Sequence, residues 1–193
     1  FALKGDNFDG NEYATKAIES GAAFAVIDNE KYSSGHTLLV DNVLDCLQQL
    51  ARMHRRRFNI PVIAITGSNG KTTTTALTYH LCREGGADCA MAGNIGNSIA
   101  RQVALDPKEL YVAEISSFQL DDIEKFRPDV AVLTNITEDH LDRYDYRFEN
   151  YIRAKFNIMK NQSAADYFVY NEDDPVTIEN LGHYPFQSNP LPL

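Results

Sequence analysis

A glycine-rich turn between an apolar strand and a helix places the tightest constraint on how this chain folds. Residues 61–66 are mostly apolar and predict a buried strand, residues 67–70 predict a tight loop, and a helix is predicted from Lys71 onward. Glycines let backbone N–H groups converge on phosphate oxygens, and the helix N-terminus adds partial positive charge. Lys71 can reach the β- and γ-phosphates, and the Thr72 hydroxyl can bind Mg²⁺. The segment therefore predicts a loop that binds a nucleoside triphosphate.

The loop departs from the general phosphate-loop pattern, GxxxxGK[ST]. That pattern requires glycine at position 65, where this chain has Ile65, so only Gly67, Gly70, Lys71 and Thr72 fit it. The alternative interpretation is a glycine-rich turn that binds no ligand, and the strand–loop–helix context favours the phosphate loop. The predicted nucleotide-binding residues are Gly67, Asn69, Gly70, Lys71, Thr72 and Thr73.

Strand and helix patterns alternate after the loop. Near-continuous apolar strands such as 62–65 and 130–133 are typical of a parallel sheet that is covered on both faces. We therefore predict an α/β fold that contains a phosphate loop, with a mostly parallel sheet and helices on both faces. The candidate strands are 61–66, 88–91, 110–115, 129–134 and 166–170, and the candidate helices are 71–84, 95–104 and about 147–160.

The residues before the loop predict a small, incomplete α/β domain over 1–59, joined near residues 59–61 to a second domain over 60–193. Its second helix ends in a basic run, which is typical of a helix C-terminus because the carbonyl dipoles there favour cations. A phosphate-binding role for this run is the alternative. The predicted helices are 11–20 and 42–57, the predicted strands are 23–28 and 37–40, and the basic run is Arg52, Arg55, Arg56 and Arg57.

Charge and composition exclude several classes of function. The net charge of −9 disfavours sequence-independent nucleic-acid binding, which needs a basic surface, so we predict no nucleic-acid partner. The three cysteines form no CxxC pair, which favours a reducing, cytoplasmic location. No apolar run approaches the roughly 20 residues of a membrane span, so no membrane insertion is predicted.

Both ends of the chain lead us to expect a fragment. The chain opens at Phe1 without a methionine, and no regular element is predicted for the proline-rich tail over 187–193.

Two polar residues downstream of the loop are candidates for a metal site. Glu114 ends a predicted strand, at the edge of the sheet where ligands bind, and there it can reach a Mg²⁺ held by Thr72. His140 follows the next strand and is a candidate second ligand, with Asp139 as its partner. Taken singly, Glu114 also fits a helix-capping or solvated residue, His140 a loop histidine with local hydrogen bonds, and Lys155 a surface charge on a helix.

The motifs carry a family resemblance over about residues 60–180. The loop Thr-Gly-x-Asn-Gly-Lys-Thr-Thr resembles that of the Mur ligases and the related folylpolyglutamate synthases, in which this short form is usual. Glu-Ile-Ser-Ser-Phe-Gln-Leu (114–120), Thr-Asn-Ile-Thr-Glu-Asp-His-Leu-Asp-Arg-Tyr (134–144) and Arg-Ala-Lys (153–155) resemble the branch that adds D-glutamate to UDP-N-acetylmuramoyl-L-alanine. Asn94 in Gly-Asn-Ile-Gly also fits that branch.

This resemblance implies an ATP-dependent ligase of peptidoglycan precursor synthesis. The substrate carboxylate would attack the γ-phosphate of ATP to give an acyl phosphate, and the amine of an amino acid or dipeptide would then displace phosphate. Such a site needs cations more than nucleophiles. The implied partners are a UDP-N-acetylmuramoyl-peptide and the incoming amino acid or dipeptide.

The resemblance also implies roles for individual residues. Lys71, His140 and Lys155 are implied to be catalytic. Thr72 and Glu114 are implied to bind a first Mg²⁺, and His140 with a carbamylated Lys155 a second. Asn94, Ser116 and Gln119 are implied to lie near substrate or nucleotide.

Residues 1–57 resemble a different branch. Residues 1–10 and 17–23 are similar to the UDP-sugar-binding domain of the Mur ligases that add D-alanyl-D-alanine, a pattern shared with the branch that adds the third residue. The two parts of the chain thus resemble different branches, and the explanations are an unusual lineage or a join of two genes near the loop. Addition of D-alanyl-D-alanine is the alternative function. The C-terminal domain of the family is expected to be absent, so a nucleotide-binding module without turnover is a further alternative.

Overall fold

The computed structural model describes residues 1–5, 7–56 and 60–193. The chain forms two compact units, Phe1–Asn59 and Ile60–Leu193, which are described separately. The predicted basic helix end includes Arg57, and the predicted joint includes Asn59; both lie outside the described residues. Within the described ranges, no helix has the length and apolar character needed to cross a membrane.

The first unit combines short strands with two helices. Its buried apolar side chains are few and small, with Ile27 and Val43 the largest of the fully buried ones. The elements are β1 (Lys4–Gly5) antiparallel to β2 (Phe8–Asp9), α1 (Ala14–Glu19), β3 (Ala25–Ile27) parallel to β4 (Thr37–Leu39), and α2 (Val43–Arg56). The predicted helices and strands are present, and the β1–β2 pair was not predicted because two-residue strands carry too little pattern.

A buried asparagine joins the elements of this unit. The Asn11 side chain is fully buried and donates to the carboxylates of Asp9 at 2.7 Å and Asp28 at 2.9 Å. The Lys4 ammonium lies 2.7 Å from Asp28. Its hydrogen bond, followed by that of Asn11, holds the pKa of the Asp28 carboxyl below its ordinary value.

The second unit is built on a six-stranded sheet in the order β10-β9-β8-β5-β7-β6, in which all neighbouring strands are parallel. This confirms the predicted parallel sheet with helices. The strands are β5 (Val62–Thr66), β6 (Cys89–Gly93), β7 (Leu110–Glu114), β8 (Val130–Leu133), β9 (Tyr167–Tyr170) and β10 (Asn189–Pro192). The helices are α3 (Lys71–Glu84), α4 (Ile99–Leu105), α5 (Ser117–Asp121), α6 (Phe148–Phe156) and α7 (Pro175–Leu181).

Side chains of a strand alternate between the two faces of a sheet, and helices pack against this sheet. Ala64 of β5 pairs with Ala113 of β7 and Ala131 of β8, and all three are fully buried in the cluster that contains Tyr151 and Phe156 of α6. These small side chains leave room on this face for the large aromatic side chains of α6. Helix α3 contacts β5, β6 and β7. In the strand order, β5 lies between β8 and β7, so its carboxyl end lies between theirs.

Two short helices and one strand of the second unit were not predicted. Helix α7 begins at the N-cap Asp174, which accepts from the Thr177 N–H, with Pro175 at its first position. Helix α5 has only five residues, below the length at which helical periodicity can be recognised. The expectation of an irregular tail was wrong, since β10 pairs in parallel with β9 there.

The prolines of β10 occupy the outward positions of this edge strand. The N–H groups of Asn189 and Leu193 donate to Asp166 and Tyr170, on the β9 side. N–H groups alternate in direction along a strand, so the positions of Pro190 and Pro192 face away from β9, where proline has no donor to offer. An exposed edge without donors does not add a further strand through N–H bonds.

Replacing both outward prolines should therefore promote association of chains through this edge strand. Pro190→Val with Pro192→Val restores two outward donors, and we expect larger species than for the unchanged chain at equal concentration in sedimentation velocity. Pro175→Ala, which changes a proline in a first helical turn, is the matched control and should leave the sedimentation profile unchanged. A doubly substituted chain that sediments like the original would contradict this reading of the edge.

Candidate functional site

The glycine loop lies at the carboxyl end of the central strand β5 and leads into α3. Gly70 is the N-cap of α3 with a left-handed backbone, φ 79°, and α3 begins at Lys71. Gly67 has φ 150°. The first N–H groups of a helix have no partner within it, so the first turn of α3 presents donors and partial positive charge at the ligand-binding edge of the sheet.

The segment after β8 holds the loop in place. The Asn135 carbonyl accepts from the Ser68 N–H at 2.9 Å, and its side-chain oxygen accepts from the Asn69 N–H at 2.9 Å. The Thr134 hydroxyl donates to the Asn69 carbonyl at 2.8 Å. Because β8 neighbours β5 in the sheet, this segment and the loop meet as a direct consequence of strand order.

The Ser68 hydroxyl connects the loop to α6. It donates to the Thr137 carbonyl at 2.9 Å, accepts from the Thr137 N–H at 2.9 Å, and lies 3.0 Å from the Tyr151 hydroxyl. Burial raises the pKa of the Tyr151 hydroxyl, so the ring stays neutral in this position. The segment after β8 and helix α6 thus both hold the loop through hydrogen bonds.

Two lysines donate to carbonyls of the loop. Lys71 Nζ lies 2.9 Å from the Ser68 carbonyl, and Lys155 Nζ lies 2.5 Å from the Gly67 carbonyl and 4.8 Å from the centre of the Tyr151 ring. Lys155 is only 2% exposed. Burial, followed by repulsion from Lys71, lowers the pKa of the Lys155 ammonium to about 7. A lysine with this pKa is partly neutral near pH 7 and can react as an amine.

Glu114 is a buried carboxylate at the end of β7, 2% exposed. Its Oε2 accepts from the Thr72 hydroxyl at 2.8 Å, and its Oε1 accepts from the Asn94 amide at 3.0 Å. Among the described residues it forms no ion pair, so its hydrogen-bond partners are neutral. A buried anion with neutral partners favours a bound cation, and the carboxylate and hydroxyl oxygens are ligands that suit Mg²⁺.

His140 is an exposed residue in the segment after β8. Its backbone is left-handed, φ 50°, and its side chain is 55% exposed. The imidazole Nε2 is 3.5 Å from the Asp139 carboxylate, and the ring packs edge-on against Phe118 with 5.6 Å between centres. Over the described part of the chain, no group of three or more His, Cys, Asp or Glu side chains is arranged to hold a metal. The predicted role of His140 as a second metal ligand therefore stays a prediction.

The remaining predicted residues differ in their surroundings. Ser116 donates to the Gln119 side-chain oxygen from its N–H at 2.9 Å and from its hydroxyl at 3.0 Å, so the two residues satisfy each other at the start of α5. Thr73 is exposed on the first turn of α3. The structure thus brings together the loop, Thr72, Glu114 and Asn94, with Lys155 beneath the loop.

Sequence reasoning missed the residues that support the loop. Tyr151, Thr134 and Asn135 were not singled out, although the last two directly follow a strand that neighbours β5. The order of the strands would have revealed them, because residues at the carboxyl ends of adjacent parallel strands meet. For Tyr151 no such indication exists, since an aromatic residue on an amphipathic helix is typical of a core position.

Comparison with known proteins finds one matching protein family and several similar ligases. The Mur ligase middle domain matches residues 65–186. The UDP-N-acetylmuramoylalanine–D-glutamate ligase of Christiangramia forsetii is 57% identical over 134 residues, which cover 69% of this chain and 30% of that ligase. The ligase of the same name from Bacteroides fragilis is 51% identical over 132 residues, with 68% and 30% covered. The chain therefore spans about 30% of the length of these relatives.

A solved structure covers almost the whole chain. The MurF ligase of Thermotoga maritima, solved in complex with ADP, superposes on 99% of this chain and 46% of its own with a TM-score of 0.80 and 28% sequence identity. The FolC protein of E. coli, at 16% identity and a TM-score of 0.51, shares the fold.

The two loop glycines should respond differently to a methyl group. A Cβ on Gly67 would lie 1.9 Å from the Thr134 hydroxyl, whereas a Cβ on Gly70 would have no atom within 4 Å. We expect Gly67→Ala to lower the free energy of unfolding by about 3 kcal/mol or more and Gly70→Ala by only about 1 kcal/mol, the cost of its left-handed backbone. Urea denaturation followed by circular dichroism measures both, and equal costs would contradict the packing described.

Lys155 should make stability depend on pH. Its pKa is about 7 in the folded protein and 10.5 in an ordinary lysine, so between these values the unfolded chain binds more protons. The free energy of unfolding should then rise with pH over this window, by at most about 1.4 kcal/mol per pH unit. Lys155→Met should flatten that rise.

Urea titrations at several pH values between 7 and 10 measure this slope. Lys160→Met, which changes an exposed lysine that donates to the Ile123 carbonyl at 3.3 Å, is the matched control and should keep the slope of the unchanged chain. An unaltered slope in Lys155→Met would show that the buried ammonium is not its source.

Proposed function

Because this chain belongs to the Mur ligase family, we propose that it is the nucleotide-binding part of an ATP-dependent ligase that adds D-glutamate to UDP-N-acetylmuramoyl-L-alanine. The observation that carries the proposal is the junction of loop and carboxylate, where Thr72 at the start of α3 donates to the buried Glu114 at 2.8 Å. Relatives that are 51–57% identical carry the name of this ligase and support the choice of step.

ATP is proposed to bind with its phosphates on the glycine loop. The N–H groups of the first turn of α3 would donate to phosphate oxygens, with Gly67, Asn69, Gly70, Thr72 and Thr73 around them. Lys71 donates to the Ser68 carbonyl at 2.9 Å, and we propose that it exchanges this contact for the β- and γ-phosphates. The related MurF ligase of Thermotoga maritima was solved with ADP, which agrees with this assignment.

The first Mg²⁺ is proposed to bind between Thr72 and Glu114. These residues fit a hard cation because their oxygens are 2.8 Å apart and the buried carboxylate has neutral hydrogen-bond partners. Bound Mg²⁺ would neutralise charge on the transferred phosphoryl group. His140 and Lys155 are the proposed residues for a second Mg²⁺.

Lys155 is proposed to act as a carbamate. The lysine ammonium first loses one proton, the neutral nitrogen then attacks CO₂ to form a C–N bond, and a second proton is released, so the cation becomes an anion. A pKa of about 7 provides neutral amine at physiological pH. The same nitrogen donates to the Gly67 carbonyl, so carbamylation would act on an atom that contacts the loop directly.

The proposed reaction has two steps. A carboxylate oxygen of the UDP-muramoyl substrate attacks the γ-phosphorus of ATP, and ADP leaves. The amine of D-glutamate then attacks the acyl carbon of the acyl phosphate, and phosphate leaves with formation of the amide. We propose Asn94, Ser116 and Gln119 as residues near the substrate, Phe1–Asn59 as the unit that binds the UDP-sugar, and the cytoplasm as the place where these substrates are met.

Addition of D-alanyl-D-alanine is the second candidate. It is favoured by the likeness to a MurF ligase over 99% of the chain. The D-glutamate ligases are more similar in sequence, at 57% and 51% against 28% identity, but over a shorter part of the chain. A binding module without turnover remains the alternative if the chain binds ATP and releases no phosphate.

An assay of ADP and phosphate release separates these functions. We expect release with UDP-N-acetylmuramoyl-L-alanine plus D-glutamate and none with UDP-muramoyl-tripeptide plus D-alanyl-D-alanine. Lys71→Ala should reduce the rate by at least about a hundredfold, since a cation at the transferred phosphate contributes several kcal/mol. Lys125→Ala, at an exposed lysine, is the control.

The opposite substrate preference would assign the second candidate. Saturable ATP binding without release in either mixture would assign the module. A Lys71→Ala chain that binds and hydrolyses ATP like the original would overturn the proposed function as a whole.

A further inference from the structure

Asn94 is attached to Glu114 by its main chain and by its side chain. The Asn94 N–H donates to the Glu114 carbonyl at 2.8 Å, and the Asn94 side-chain amide donates to Glu114 Oε1 at 3.0 Å. The backbone bond fixes where the asparagine sits relative to the glutamate, and the side-chain bond fixes the direction of the carboxylate. One backbone and one side-chain hydrogen bond therefore hold Asn94 to Glu114.

Backbone contacts between residues on either side of Asn94 close the turn that carries it. The Gly93 N–H donates to the Asn97 carbonyl at 3.0 Å, and Ala92 and Asn97 form a parallel bridge. Gly93 has φ 112°, and a Cβ at this position would lie 2.2 Å from the Glu114 carbonyl. Only glycine lets the turn approach the end of β7 this closely, so the position of Asn94 is built into the fold.

The two oxygens of Glu114 have different partners. Oε1 accepts from Asn94 and Oε2 accepts from Thr72. A carboxylate that rotates about its last torsion would lose both bonds at once. A cation bound at Thr72 competes with the hydroxyl for Oε2, whereas the bond from Asn94 to Oε1 is free to persist.

We propose that Asn94 is a positioning residue for Glu114, holding the carboxylate so that Oε2 faces Thr72 where a divalent cation binds. This rests on the proposed function, since it assumes that Glu114 binds the Mg²⁺ that accompanies the nucleotide. It differs from a substrate contact, because Asn94 then acts in the absence of the UDP-muramoyl substrate. Its effect falls on metal affinity and leaves the binding of metal-free nucleotide unchanged.

The test measures ADP affinity of the full chain by calorimetry, once with saturating Mg²⁺ and once in EDTA. The ratio of the two affinities is the gain due to Mg²⁺. We expect Asn94→Ala to reduce this gain about tenfold, the factor that corresponds to loss of one hydrogen bond to a charged group. Its affinity for ADP in EDTA should stay within about twofold of the unchanged chain.

Asn97→Ala is the matched control. Asn97 lies on the same turn, but its side-chain amide donates to Gln102 at 3.1 Å and not to Glu114. Its substitution should leave the Mg²⁺ gain unchanged, and melting temperatures of all variants reveal any loss of folding. Glu114→Gln should abolish the gain, which tests the proposed metal site independently of Asn94.

The outcomes separate the positioning role of Asn94 from the proposed metal site at Glu114. A full Mg²⁺ gain in Asn94→Ala, with the gain lost in Glu114→Gln, would overturn the positioning role and leave the metal site standing. An equal fall of ADP affinity with Mg²⁺ and in EDTA would also overturn it, because a purely structural role predicts that pattern. An unchanged chain without any Mg²⁺ gain would overturn the proposed function, and the positioning role with it.

Discussion

The contact between Lys155 and the Gly67 carbonyl is the interaction on which the site depends, because it joins the glycine loop to the helix beneath the sheet. The lysine is buried and its pKa is about 7, so the residue that contacts the loop is partly neutral near pH 7. Tyr151 lies under the ammonium and also reaches Ser68 of the loop. Any change in the charge of Lys155 therefore alters a direct hydrogen bond to the loop that is proposed to bind phosphate.

A second buried charge lies at the same edge of the sheet. Glu114 at the end of β7 is held by Thr72 and Asn94, which are neutral donors from two different elements. Burying a charge without a counter-charge is unfavourable, and binding sites are where proteins retain such arrangements. The proposed binding of metal ions and the proposed carbamate would account for both the buried carboxylate of Glu114 and the lowered pKa of Lys155.

Much of this architecture could be predicted from the sequence, because its strands are continuous apolar runs and helix α3 begins directly after the glycine loop. The predicted helix over 71–84 has the observed bounds, and Glu114 was placed at the correct end of its strand. The support from Thr134 and Asn135 was missed, since it depends on which strands are neighbours, and periodicity does not reveal that. Strand β10 was missed because its prolines are typical of irregular chain, and only an edge position accommodates them.

The central claim is that one loaded site forms from the glycine loop, Thr72 and Glu114. A crystal structure of the chain grown with ADP and Mg²⁺ tests it most directly. We predict the β-phosphate on the N–H groups of the loop and the first turn of α3, with the metal bound by the Thr72 hydroxyl and the Glu114 carboxylate. Nucleotide bound away from the loop, or a metal held by residues other than Thr72 and Glu114, would contradict the account.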